Sequence, residues 1–187
     1  MPDYKYKALN LIYGDLNTLI ELTANIKELE PSSVELLDYL SLKSVADKKE
    51  LEPYLIPLNE SITAIMIELN EDSEDALNAK LSQVEDHIAK TKIIHKVGFR
   101  RNQSEIETLW KTRNGVLPTI AGNRVEGTSV LIEDVAVNLL DLPDLVRDLK
   151  FLFEEYNYND AAIFGHVLFT ICYSRMGAEV LGYYVAD

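Results

Sequence analysis

"ITAIMIEL", residues 62–69, is the predicted centre of the fold. It is short, rich in β-branched residues and apolar at both alternating sets of positions, the pattern of a central strand covered on two sides. Working outward, "ALNLIY" (residues 8–13) is a second apolar run and a predicted strand. "GDLNTLIELTANIKEL" (14–29) sets Leu16, Leu19, Ile20, Thr23 and Ile26 on one helical stripe, with Gly14 ending the strand and Asp15 placed to cap the helix. "PSSVELLDYLSL" (31–42) predicts a second helix, because Ser32 with Glu35 three residues on has the form of a capping box. Pro53 and Pro57 bracket a loop.

Beyond the central strand, "NEDSEDALNAKLSQVEDHIAKTK" (70–92) is a long helix with Ala76, Leu77, Leu81, Val84 and Ile88 as its stripe, and acids gathered where the helix dipole favours them. "IIHKVGF" (93–99) predicts a strand, "SEIETLWKTRN" (104–114) a short helix ended by Gly115, and "VLIEDVAV" (130–137) a strand. "LPDLVRDLKFLFEEY" (142–156) is a helix with Pro143 in its first turn, and "AAIFGHVLFTIC" (161–172) a fifth strand. The tail, "SRMGAEVLGYYVAD", has no clear pattern. The order βααβαβαβαβ fits a parallel doubly wound sheet, or a split-βαβ, ferredoxin-like packing. Periodicity alone does not choose.

The 187 residues suit one domain, and 47% hydrophobic with 26% charged residues is ordinary for a globular one. The formal charge of −13 opposes nucleic acid and anionic membranes as partners. A small anion stays possible, since one local arginine can overrule the global field. A single cysteine, Cys172, makes no internal disulfide, and no apolar run approaches a signal peptide or a membrane helix. The expected location is the cytoplasm.

No phosphate-binding loop, nucleophile elbow, zinc-protease helix, paired-cysteine or dinucleotide-fingerprint pattern occurs. His87 reads as a solvated helix residue, and His95 as turned outward. His166 shares a strand face with Phe164, Leu168, Thr170 and Cys172, so it is either a satisfied core residue or part of a site. Cys172 lies six residues on, roughly 20 Å along a straight strand, so the two cannot share a metal. "VLIEDVAV" carries an acid on each face, Glu133 and Asp134. It is a central strand with a partnered carboxylate or an edge strand with a wet face. Trp110 and Arg113 share a helix face. A guanidinium near a helix end beside an aromatic can grip a carboxylate, or simply pack its stem on the indole.

Taken together and in order, "LWKTRNG…P…AGNR…GTSVLIEDVAV" and "DLPDLVRDLKFLFEEYNYNDAAIFGH" resemble the C-terminal substrate domain of FAD-linked oxidases, the vanillyl-alcohol-oxidase-like family that includes D-lactate, glycolate and D-2-hydroxyglutarate dehydrogenases. The resemblance runs from about Lys7 to Ser174. It implies an α+β, ferredoxin-like fold with a largely antiparallel sheet covered by helices. It also implies a domain that caps a flavin and binds a small D-2-hydroxy acid, with FAD held by a separate domain or chain. Arg113 falls on the family's substrate-carboxylate arginine, and Arg124 is a second candidate.

The family's divalent metal is held by Gly-His, a spacer, Gly-Asn-x-His and a later glutamate. Gly165-His166 matches the first half only, and "GAEVLG" around Glu179 does not match the glutamate segment. A lone histidine falls short of the roughly three protein ligands of a catalytic metal. The resemblance therefore implies a vestigial metal position at His166, no catalytic residue, and a single domain over residues 1–187 that is incomplete at its C-terminal end. Such a chain is expected to be inactive alone, to need an FAD-binding domain or chain, and to expose an apolar docking surface that could drive homodimerisation. Two other readings are a stand-alone module for small carboxylates and a subunit that completes a site with a separate FAD-binding chain.

Overall fold

The strand at the centre is Thr63–Glu71 (β3), and its neighbours on both sides run antiparallel to it: Tyr6–Gly14 (β1) with Tyr6 opposite Glu71, and Ser33–Leu37 (β2) with Ser33 opposite Glu68. The computed structural model describes residues 5–123, 130–158, 161–167 and 179–186, without the side chains of 123, 130–134 and 179–186. His95–Lys96 (β4) pairs with the outer side of β1. Beyond β2 the sheet continues through Ile163–His166 (β6) and Glu179–Ala186 (β7) to Val130–Ala136 (β5). The strand order is β4-β1-β3-β2-β6-β7-β5, and every pairing among the described residues is antiparallel. This is the α+β antiparallel arrangement, and it excludes the parallel doubly wound alternative. The first four strands have the 4-1-3-2 order of the split-βαβ unit.

Both faces of the sheet are covered. Leu16–Ile26 (α1), Glu74–Lys90 (α3) and Leu142–Glu155 (α5) bury Leu19, Ile20, Leu77, Val84, Val146 and Phe153 against Ala8, Ile12, Ile65, Ile67 and Ile163. Tyr39–Ser44 (α2) and Gln103–Asn123 (α4) cover the opposite face, where Leu42, Ile106, Leu109 and Val116 meet Leu9, Leu11, Met66 and Phe164. The alternation of the strands makes this division, since successive side chains leave opposite faces. No helix among the described residues is long and apolar enough to cross a membrane.

The helix starts follow local chemistry. Asp15 caps α1 by accepting from Thr18 N at 3.0 Å, and Ser73 caps α3 by accepting from Ala76 N at 3.2 Å. Ala76, placed on the α3 stripe by periodicity, is exposed instead.

Several sequence expectations need correction. Residues 33–37 are strand, not helix, so Ser32 and Glu35 form no capping box. The cap belongs to Asp38, which accepts from Ser41 N at 2.8 Å and starts α2. The predicted strand at 93–99 narrows to His95–Lys96, with an isolated bridge from Leu9 to Arg100. Pro53 lies inside a tight helical turn, Lys49–Tyr54, rather than in a loop. The tail contributes β7, and the last predicted strand is described as strand only to His166; Leu168, Thr170 and Cys172 lie outside the described residues. β5 lies at the sheet edge, in line with the edge-strand reading of "VLIEDVAV".

α4 does not stop at Gly115 but runs on through Pro118, because Ile106, Leu109, Thr112 and Val116 continue one buried stripe past the glycine. Burial of that stripe outweighs the roughly 1 kcal/mol that a mid-helix glycine costs. A Cβ at Gly115 would meet the Nζ of Lys48, the far end of a flexible side chain, and would otherwise sit at 3.4 Å from Val45. Gly115→Ala is therefore expected to stabilise the fold by roughly 0.5–1 kcal/mol in urea denaturation.

Candidate functional site

Glu35 stands in the middle of β2 with its side chain fully buried. An ionised carboxylate so placed needs partners, because burying it unpaired is costly. Three elements supply them. Arg113, from α4, donates from Nε to Glu35 Oε2 at 2.9 Å. Ser33, two residues back on β2, donates from Oγ to Oε1 at 2.7 Å. His166, directly opposite Glu35 in the β2–β6 register, hydrogen-bonds Oε1 through Nδ1. An ionised carboxylate only accepts, so Nδ1 carries the proton in this contact.

The guanidinium is fixed in a second dimension. Its central carbon lies 4.6 Å from the centroid of the Phe164 ring, within cation–π range. Glu35 thus holds Arg113 within the guanidinium plane, and the Phe164 ring lies beside its central carbon. Among the described residues, Nη1 and Nη2 have no hydrogen-bond partner. Those two nitrogens are the edge of the fork that matches a carboxylate.

One turn earlier on α4, Trp110 donates from Nε1 to Glu68 Oε1 at 3.3 Å. Glu68 lies opposite Ser33 across the β3–β2 register and also accepts from Asn70 at 3.4 Å. The shared helix face of Trp110 and Arg113, read from their spacing, therefore meets two carboxylates on neighbouring strands. Trp110 does not serve as the platform for Arg113; Phe164 does.

Burial alone would push the Glu35 carboxyl up. The hydrogen bonds from His166 and Ser33, and the charges of His166 and Arg113, outweigh it and hold the group below the usual carboxylate range. A carboxyl lowered in the folded state contributes stability that is complete above its unfolded value, about 4.3, and is lost as pH falls through the folded value. Glu35→Gln is therefore expected to lose less stability than the parent on acidification, as read from urea midpoints between neutral and acid pH. Asp38 behaves oppositely: burial outweighs its Ser41 hydrogen bonds and raises its carboxyl. It borders a separate cavity of about 370 Å³, lined with Tyr39, Glu60, Lys150, Phe153 and Tyr158, that does not include Arg113 or His166.

The structure brings together two residues singled out from sequence, Arg113 and His166, and joins them through a third that was missed. The signal for Glu35 was present in "SSVELL", where Val34 and Leu36 alternate with Ser33, Glu35 and Leu37 as in a strand. Arg124 lies outside the described residues.

The donor set among the described residues does not fit the family's divalent metal. His166 and Glu35 are two donors, Glu35 already serves Arg113 and Ser33, and no group of three or more metal-binding side chains occurs among the described residues. The helix N-termini do not fit the pyrophosphate of a flavin dinucleotide. Asp15 and Asp38 cap α1 and α2, Glu74 and Asp75 open α3, Glu105 lies in the first turn of α4, and Asp144 in that of α5. Carboxylates there oppose an anion that bare helix N-termini attract.

The family model described as FAD linked oxidases, C-terminal domain, matches residues 6–174. Two solved structures of alkyldihydroxyacetonephosphate synthase, in different crystal forms, are similar. The first has a TM-score of 0.72 at 16% identity and covers 100% of this chain and 37% of that one. The second has a TM-score of 0.72 at 14% identity, over 98% and 35%. The chain thus spans little more than a third of those proteins' length, and at such identity the likeness is one of fold. No curated protein matches.

Proposed function

We propose a role as the substrate-holding cap of a flavoenzyme, on one premise: the chain belongs to the family of C-terminal domains of FAD-linked oxidases. In this reading the 187 residues are one such domain, and FAD is held by an FAD-binding domain or chain against which it docks. The substrate is a small D-2-hydroxy acid. Its carboxylate pairs with Nη1 and Nη2 of Arg113, its hydroxyl lies toward His166, and Arg124 is a second donor to the carboxylate. The observation that carries this is Arg113 held at Nε by a buried glutamate, with its guanidinium carbon 4.6 Å from the centre of the Phe164 ring. A carboxylate receptor and an imidazole tethered to the same glutamate suit a substrate whose carboxylate and hydroxyl sit on adjacent carbons. The oxidoreductase activity belongs to the assembled protein, and the chain by itself is not expected to turn over.

A second reading, a module that binds small carboxylates without redox chemistry, is favoured by the poor fit of the donor set to a metal. One titration bears on both. D-Lactate or D-2-hydroxyglutarate added to the chain is expected to shift the NMR signals of the Arg113 Nε–H and the His166 ring together. Shifts confined to other regions would contradict both. Turnover only when an FAD-binding chain and an artificial electron acceptor are added selects the cap; binding without turnover under those conditions selects the module.

A further inference from the structure

We propose that Glu35 is the positioning residue of this site, fixing the Arg113 fork and the His166 ring relative to one another through the two oxygens of one carboxylate. This deepens, and rests on, the reading of Arg113 as the carboxylate receptor.

The division of labour is explicit. Oε2 takes Arg113 Nε at 2.9 Å, while Oε1 takes Ser33 Oγ at 2.7 Å and His166 Nδ1. The glutamate cannot swing, because its side chain is wholly buried in a strand paired on both sides, by β3 and β6. An arginine ordinarily loses several torsions on gripping a ligand. Here Nε is already bonded to Glu35 and the guanidinium lies within cation–π range of Phe164, so that cost falls in folding rather than in binding. Because the same carboxylate holds His166, the guanidinium and the imidazole are kept at one fixed separation. Glu35 touches no substrate in this arrangement and acts through Arg113 and His166. Glu68, another carboxylate on this sheet face, is tied to Trp110 and Asn70 and does not replace it.

The test uses oxalate, a small dicarboxylate, with the intact chain. In the parent protein the Arg113 Nε–H is expected to exchange slowly with solvent. In Glu35→Gln, exchange at Arg113 should quicken and oxalate affinity fall, each by about tenfold or more, with the backbone amide spectrum retained and the Nε–H signals of Arg101 and Arg147 unchanged. Unchanged exchange and affinity would overturn the assignment. Should Glu35→Gln not fold, Glu35→Asp keeps the charge, shortens its reach by one methylene and makes the same distinction. If oxalate does not bind the parent protein at all, the receptor reading fails. Arg113 exchange in the Glu35 variants then still decides whether Glu35 holds the guanidinium.

Discussion

Arg113→Ala is expected to lower stability by about 3 kcal/mol and to abolish small-carboxylate binding in the same variant. Removing one partner of a buried ion pair leaves the other charge uncompensated, and that penalty, rather than the lost attraction, dominates. Glu35 is fully buried, whereas the Arg113 side chain is 18% exposed, so the charge left behind is the one that cannot reach water. Ser33 and His166 still donate to it, which keeps the expected loss at the low end of the range. Urea denaturation gives the stability change and calorimetry with oxalate the binding. The double variant Arg113→Ala/Glu35→Gln should regain much of the lost stability, since a neutral amide replaces the stranded charge, but none of the binding. A loss below about 1 kcal/mol in the single variant would mean that the pair behaves as a solvated surface bridge.

The second large effect lies in the core. Ile65→Ala is expected to cost about 2–5 kcal/mol. Ile65 is wholly buried on β3, between β1 and β2, and faces α1 and α3 in the larger of the two hydrophobic clusters. The surroundings of a central strand cannot collapse into the space left, so lost burial and a cavity add. Ile94→Ala, at a side chain 56% exposed, should by contrast change stability by about 0.5 kcal/mol or less. Comparable losses at the two positions would contradict the placement of β3 at the centre of the sheet.

What the sequence revealed and what it hid both have physical causes. β1, β3, α1, α3 and α5 were legible because their apolar residues follow one period for long enough and their ends carry ordinary signals, Asp15, Ser73 and Pro143 among them. β2 reads as a helix in sequence because Glu35, three residues after Ser32, completes an apparent capping box. The residue that misled the assignment is thus the one that organises the site. Gly115 misled in the same way: a local helix-ending preference gave way to packing along Ile106, Leu109 and Val116. Arg113 and His166 could be named separately, but 52 residues lie between them in sequence. Their common partner, on a third element, is visible only once β2 and β6 pair.

The most direct test of the account is a crystal structure of the chain grown with oxalate. The account predicts one oxalate carboxylate in the plane of the Arg113 guanidinium, against Nη1 and Nη2, with Nε still on Glu35 and His166 Nδ1 on the same carboxylate. An Arg113 swung away from Glu35, or oxalate bound only elsewhere on the protein, would contradict it.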